Sequence, residues 1–205
     1  WVSLYESKSG ERGIFNRESA KKQAAKNGRR DVEHDFGCNP CSEIILRPYQ
    51  FCNLSEVVAR AGDTEQSLAT KVGLATILGT FQSTLTDFKY LRKVWQKNTE
   101  EERLLGVSLT GIMDNAMLSG NSATLGSNIG ATLELLRDVA VQTNKGMAKK
   151  LGIPQSTAIT CVKPSGTVSQ LVDSASGIHA RHNPHYIRTV RGDNKDPLTQ
   201  FLMSE

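Results

Sequence analysis

The sequence predicts an α/β fold, and three consecutive segments in its second half indicate this. Residues 104–111 are apolar and bounded by glycine, as is typical of a short buried strand. From Ile129 to Leu151 apolar residues recur every three or four positions, which predicts an amphipathic helix that Gly152 and Pro154 end. Residues 157–162 predict a second strand. A strand, a helix and a strand, with a glycine-containing turn after each strand, form an α/β pattern.

The first quarter of the chain is predicted to hold one short helix and a long ordered loop. Residues 17–27 can form a helix with Asn16 as its N-cap and Gly28 as its end. Residues 31–56 interrupt short apolar runs with glycine and proline, which predicts an ordered loop with brief extended pieces.

The middle of the chain is predicted to be helical and then polar. A helix is expected from Thr64 to about Asp87, and because it is apolar over most of its circumference we expect it to be buried in a sizeable core. The charged run 100–103 predicts a solvated first turn or loop. Residues 121–130 are rich in serine, asparagine and glycine and predict a loop, and a short helix is expected after residue 169.

Composition and charge exclude several classes of protein. Of 205 residues, 38% are hydrophobic and 22% are charged, as in ordinary globular proteins. No apolar stretch approaches the roughly 18 residues of a membrane span, and the mixed, charged first residues do not predict a secretory signal. The net charge of +4 is too mild to indicate nucleic-acid binding by itself. Because the chain begins with Trp1 and not Met, we expect a piece of a longer protein.

The cysteines are the first pointer to chemistry. Three of the four fall within fifteen residues, and we expect a reducing cytoplasm, where clustered cysteines indicate metal, redox or nucleophilic sites. Asn39, Cys41 and Glu43 alternate, so in an extended segment an amide, a thiol and a carboxylate would share one face. Cys52 lies eleven residues after Cys41, with Pro48 between them to fold the segment back.

These residues alone leave three interpretations open. The Cys38-x-x-Cys41 spacing suits a zinc knuckle to which His34 or Cys52 contributes, although no second paired half follows. The same thiols also suit a redox or radical site. A third interpretation is that the cysteines only pack as small buried hydrophobes.

Two further stretches carry weaker signals. The turn 163–169 places hydroxyls and backbone N–H groups before a short helix, which is a ready anion site, although many such turns only cap the helix. It is not a Walker loop. The stretch 177–191 is basic and carries three histidines, so it suits phosphate or metal binding, but on charge alone a solvated loop is the favoured interpretation.

Together these segments resemble ribonucleotide reductases, specifically the adenosylcobalamin-dependent class II enzymes. The Asn-Pro-Cys-x-Glu-Ile run at 39–44 resembles the active-site loop of that family, and residues 51–54 resemble the segment with one of its reducing cysteines. The short separation of these two segments is similar to class II. The stretches that resemble the monomeric, triphosphate-reducing branch are 84–91, 101–115 and 163–169.

The resemblance implies a fold and a place within it. Residues 1–205 would form a single partial domain of a ten-stranded α/β barrel, comprising the central cysteine loop and part of the second half-barrel. The finger loop would span about 36–54 and the phosphate-binding turn about 163–169. The first half-barrel, the allosteric specificity region and the C-terminal cysteine pair would lie outside this chain.

The resemblance also implies roles for individual residues. Cys41 would carry the thiyl radical that takes the 3′ hydrogen atom, Glu43 would remove the 3′-OH proton, and Asn39 would hold the sugar hydroxyls. Cys52, with a partner outside this chain, would supply reducing equivalents. Cys38 would be structural. The substrate-phosphate cradle would comprise Ser165, Gly166, Thr167 and Ser169.

The implied cofactor is adenosylcobalamin, although the sequence has no Asp-x-His-x-x-Gly cobalamin motif. The implied partners are a ribonucleotide substrate, a thioredoxin-type reductant and a nucleotide effector bound through regions outside this chain, with no membrane or nucleic acid. The alternative is a zinc-stabilised nucleic-acid-binding module that uses Cys38, Cys41, Cys52 and the basic patch 181–191.

Overall fold

The computed structural model describes residues 1–9, 13–120 and 128–205. Seven α-helices and four strands are assigned in these residues, with a 3-10 turn at Ile112–Asp114. In chain order they are α1 (Val2–Ser7), α2 (Arg17–Ala25), β1 (Gly37–Cys38), β2 (Ile45–Leu46), β3 (Asn53–Val58), α3 (Glu65–Gln82), α4 (Lys93–Glu102), β4 (Leu105–Thr110), α5 (Ile129–Leu151), α6 (Val168–Leu171) and α7 (Pro197–Ser204). Residues 121–127 of the predicted polar loop lie outside the described residues.

Three parallel extended segments form the sheet, with β4 in the middle. On one side β4 pairs with β3 in parallel, from Asn53 opposite Leu105 to Val58 opposite Thr110. On the other side, the Val107 N–H donates to the Ile159 carbonyl at 2.8 Å, and Val107 and Thr160 form a parallel bridge. The predicted strand 157–162 is therefore present as an extended segment paired with β4.

Helices α3 and α5 pack on each other, and α3 also packs on the sheet, so the core lies between these elements. Both helices begin close to the positions that the sequence predicts, and each has a side-chain N-cap. The Thr64 side chain accepts from the Ser67 N–H, the Asn128 side chain accepts from the Ala131 N–H, and Gly152 ends α5 at a φ of 66°. The buried core residues include Val57, Leu68, Val72, Leu105, Val107, Leu136, Ala140 and Ile159.

Helix α3 is shorter and more exposed than the sequence predicts. It ends at Gln82, because the Ser83 and Thr84 hydroxyls donate to carbonyls of the last turn, at 2.6 and 2.7 Å. Leu74 and Leu78 are 63% and 64% exposed, so the expectation that most of the helix circumference is buried is wrong for this chain.

The expectation of a solvated turn at residues 100–103 is also wrong. Residues 100–102 complete α4 and Arg103 is its C-cap. Glu102 is buried against Arg30, with a distance of 2.8 Å from the Arg30 Nε to the carboxylate. A partner 72 positions earlier in the chain compensates this charge, which the local charge pattern cannot reveal.

None of the described helices is long and apolar enough to cross a membrane.

Candidate active site

A short antiparallel hairpin carries the Asn39–Glu43 segment. Its strands β1 and β2 pair Gly37 with Leu46 and Cys38 with Ile45. Between them the chain turns sharply, since the Ser42 N–H donates to the Asn39 carbonyl at 2.9 Å and Ser42 has a φ of 63°. The segment 39–43 is therefore a turn, and not the extended stretch in which alternate side chains would share one face.

The turn nevertheless brings the amide and the carboxylate together. The Asn39 Nδ2 donates to the Glu43 Oε1 at 2.6 Å, while the Asn39 Oδ1 accepts from the Ile44 N–H at 3.0 Å. Only 5% of the Glu43 side chain is exposed. Its Oε2 is buried and has no hydrogen-bond partner among the described residues. One carboxylate oxygen is thus held in place and the other is left free to accept a hydrogen bond.

Lys163 joins the hairpin to the turn at 163–169. Its Nζ lies 3.1 Å from the Glu43 Oε1 and 3.8 Å from the Cys41 Sγ. The sequence alone assigned Lys163 no role. The sequence holds one indication of a role for Lys163, its place at the start of the stretch 163–169 that resembles ribonucleotide reductases. Its partner Cys41 lies 122 positions away in the chain.

The electrostatics of this pair favour two charged side chains. Burial alone would raise the pKa of Glu43, but hydrogen bonds from its own backbone N–H, from Asn39 and from Lys163 outweigh burial and lower it. Burial would lower the pKa of Lys163, but Glu43 raises it above its ordinary value. The site therefore holds an ionised carboxylate beside a protonated amine and the exposed thiol of Cys41.

Two further thiols lie within electrostatic range of Glu43. Burial and the Glu43 charge raise the pKa of Cys52, and the same two causes with Cys52 itself raise the pKa of Cys161 to about 12. Both thiols are therefore protonated near neutral pH. The sequence did not single out Cys161 as a site residue; its Sγ packs over Gly106, where an added Cβ would lie 3.1 Å away.

The four residues of the predicted cradle are placed differently in the turn at 163–169. Gly166 has a φ of 59°, and the Ser165 Oγ is buried with no partner among the described residues. Thr167 is exposed and its side chain makes no capping hydrogen bond. Ser169 differs, because its buried hydroxyl donates to the Gly166 carbonyl at 2.7 Å. Helix α6 has only four residues, so we expect only a small N-terminal dipole.

The zinc alternative is not supported. Within the described ranges no three His, Cys, Asp or Glu side chains are grouped to hold a metal ion, and Cys38 instead faces the Ser42 hydroxyl at 3.5 Å. In the basic patch, Arg181 pairs with Asp114 at 3.0 Å and with Asp173 at 2.8 Å, which neutralises part of its charge.

The chain is similar to adenosylcobalamin-dependent ribonucleoside-triphosphate reductases. It is 28% identical over 226 residues to the enzyme of that name from Lacticaseibacillus paracasei, covering 99% of this chain and 30% of the relative. It is 29% identical over 227 residues to the one from Lactobacillus leichmannii, covering 95% and 29%. The chain thus spans about 30% of the length of the curated relatives it matches. No protein-family model matches it.

The fold is similar to that of a solved enzyme. A crystal structure of a B12-dependent (class II) ribonucleotide reductase matches with a TM-score of 0.57 at 24% identity, covering 75% of this chain and 23% of that chain. The resemblance found in the sequence is confirmed, and so is the predicted fold: the chain adopts part of the α/β fold of a class II ribonucleotide reductase.

Proposed function

We propose that the protein containing this chain reduces ribonucleotides, as ribonucleoside triphosphates, to 2′-deoxyribonucleotides. The observation that carries the proposal is the contact of Lys163 with both Cys41 and Glu43, which joins the cysteine hairpin to the phosphate-type turn. The names of the relatives support the same reaction.

Cys41 and Glu43 begin the reaction at the 3′ carbon. As a thiyl, Cys41 takes the 3′ hydrogen atom and becomes a thiol, so the unpaired electron passes to the sugar. Glu43 accepts the 3′-OH proton. Its lowered pKa keeps the carboxylate ionised before the reaction, and its Oε2 has no other hydrogen-bond partner among the described residues. The 2′ hydroxyl then leaves as water with a proton from one of the reducing thiols. At the end of the reaction Cys41 returns its hydrogen atom to the 3′ carbon, which regenerates the thiyl, and Glu43 returns its proton to the 3′ oxygen.

Asn39 and Lys163 position these groups. Asn39 holds the Glu43 carboxylate through its Nδ2, and its hydrogen-bonding capacity also suits the sugar hydroxyls. Lys163 keeps the carboxylate ionised in a nearly buried position, where an unpaired charge would be costly.

Cys52 supplies reducing equivalents. Its raised pKa keeps it a thiol that can give up a hydrogen atom, and with a second cysteine outside this chain it ends as a disulfide. Two thiols thus provide the two electrons and two protons that the reduction to water and deoxyribose consumes. A thioredoxin-type protein would then reduce the disulfide, in the cytoplasm, and a nucleotide effector would act through other regions of the protein.

The substrate phosphates bind at the turn after Lys163. The exposed Thr167 and the exposed backbone at Gly166 are available to a phosphate, and the buried Ser165 hydroxyl has no other partner among the described residues. Ser169 supports the turn through its hydrogen bond to Gly166 and contributes less directly than the sequence predicts.

Adenosylcobalamin is the proposed cofactor, following the names of the relatives. Cys41 is the residue that would face it, and the exposure of this thiol at the hairpin tip fits that role. When bound, adenosylcobalamin supplies the radical chemistry that converts a thiol to a thiyl.

The test is Cys41→Ser in the full-length protein. An O–H bond is stronger than an S–H bond, so the variant should lose turnover while nucleotide binding stays nearly unchanged. Cys38→Ser is the matched control, because it makes the same substitution in the same hairpin. The Cys38 thiol contacts the Ser42 hydroxyl and has no proposed part in the reaction, so turnover should be retained. Steady-state reduction by Cys41→Ser would contradict the thiyl assignment.

A further inference from the structure

A basic cleft has Glu43 in its lining. Its volume is about 270 Å³, and α2, α5 and residues 157–160 form its walls. Lys26, Arg29, Arg30 and Arg137 line it, and Glu43 is the one acidic residue among the described lining residues. No described residue of the turn at 163–169 lines this cleft.

The cleft keeps an excess of positive charge after the ion pairs of its lining residues are taken into account. Arg30 is neutralised by the buried Glu102 at 2.8 Å, and Glu43 is neutralised by Lys163 at 3.1 Å. Arg137 pairs with its neighbour Asp138, whose side chain is 65% exposed, and such surface pairs contribute little.

Arg29 has no such compensation. It forms no ion pair within the described part of the chain, and its Nε is buried without a hydrogen-bond acceptor. Burial and the positive charge of Arg137 both lower the pKa of Arg29. A buried N–H donor with no acceptor, beside a second guanidinium group, is an unfavourable arrangement that an anion between them would relieve.

We propose that this cleft binds the phosphate group of a small molecule between Arg29 and Arg137. Guanidinium groups present forked N–H donors that match phosphate oxygens, and a dianion would both satisfy the Arg29 Nε and cancel the repulsion. The volume lies at the low end for ligand pockets, which favours inorganic phosphate or a phosphorylated sugar over a larger ligand.

The test counts phosphate bound to the full-length protein by equilibrium dialysis with radiolabelled inorganic phosphate. Arg29→Gln should weaken one site by at least about tenfold, because it removes charged hydrogen bonds. Arg29→Lys should retain part of the affinity. The matched control is Arg191→Gln, an exposed arginine outside the cleft, and it should bind as the wild type does.

Two further measurements separate phosphate binding in the cleft from a folding defect and from binding at the turn 163–169. Without phosphate, the melting temperature of Arg29→Gln should be no lower than that of the wild type, because the substitution removes the repulsion between Arg29 and Arg137. Weaker phosphate binding by this variant would then not result from unfolding. Thr167→Ala should leave the cleft affinity unchanged, which separates this site from the proposed substrate cradle.

Competition by ribose 5-phosphate identifies the source of the phosphate group. If ribose 5-phosphate displaces the labelled phosphate at a lower concentration than unlabelled phosphate does, the ligand is a phosphorylated sugar. If ribose 5-phosphate requires an equal or higher concentration, the ligand is the free ion. Equal phosphate binding by the wild type and Arg29→Gln, or an equal loss in Arg191→Gln, would overturn the proposal.

Discussion

Replacing Lys163 with methionine removes a charge while keeping a side chain of similar length. In the wild type the Lys163 Nζ lies 3.1 Å from a Glu43 carboxylate that is 5% exposed, and the lysine itself is 26% exposed. A hydrogen bond to a charged group contributes about 1.5–3 kcal/mol, so we expect Lys163→Met to lower the free energy of unfolding by about that amount at pH 7.

This loss should depend on pH in a definite direction. The folded-state pKa of Glu43 lies below its ordinary value, so its stabilisation is complete above the ordinary carboxyl pKa of about 4.3. The stabilisation disappears as the pH falls through the lowered folded-state pKa. The difference between the wild type and Lys163→Met should therefore be largest at neutral pH and shrink in the acid range.

Activity gives the more specific measurement. In Lys163→Met burial still acts on Glu43 but the lysine no longer opposes it, so the pKa of Glu43 should rise. The acid limb of the pH profile of kcat should move to higher pH, and Lys163→Arg should restore part of the shift because it keeps the charge.

A matched control is Lys71→Met. Lys71 pairs with the nearly buried Asp63 at 2.5 Å and is 38% exposed, so its loss should also reduce stability, but it is outside the site and should leave the acid limb in place. An acid limb of Lys163→Met that coincides with that of the wild type would refute the role assigned to Lys163.

Three other predictions concern single residues of the full-length protein. Cys52→Ser should still allow 3′ hydrogen abstraction but release free base, and many turnovers with thioredoxin would make Cys52 structural. Thr167→Ala should raise the KM about 10- to 150-fold, because it removes a hydrogen bond to a charged phosphate oxygen. The melting temperature should not change, since the Thr167 side chain makes no capping hydrogen bond. A lower melting temperature with a normal KM would contradict the role of Thr167 in phosphate binding. Glu102→Gln should lower the free energy of unfolding by about 3–5 kcal/mol, because it leaves the Arg30 charge buried without its partner. Glu101→Gln at the surface should lower it by less than about 1 kcal/mol. Equal losses in the two variants would contradict the importance of burial for the Arg30–Glu102 pair.

The sequence alone determined the elements whose signals are local. The helix Ile129–Leu151 and the strand Leu105–Thr110 follow their predicted positions, because apolar periodicity, N-caps and a terminal glycine act over a few residues. The identities of Asn39, Cys41 and Glu43 also pointed to the resemblance before any contact was known.

The tertiary structure decided the features that depend on distant partners. A turn closed by backbone hydrogen bonds, and not strand alternation, brings Asn39 to Glu43. Lys163 reaches this turn across more than a hundred positions, because the pairing of residues 158–161 with β4 carries it there. Local patterns record propensity and capping, whereas the partner of a buried charge is set by the packing of segments far apart in the chain, so only the folded chain reveals it.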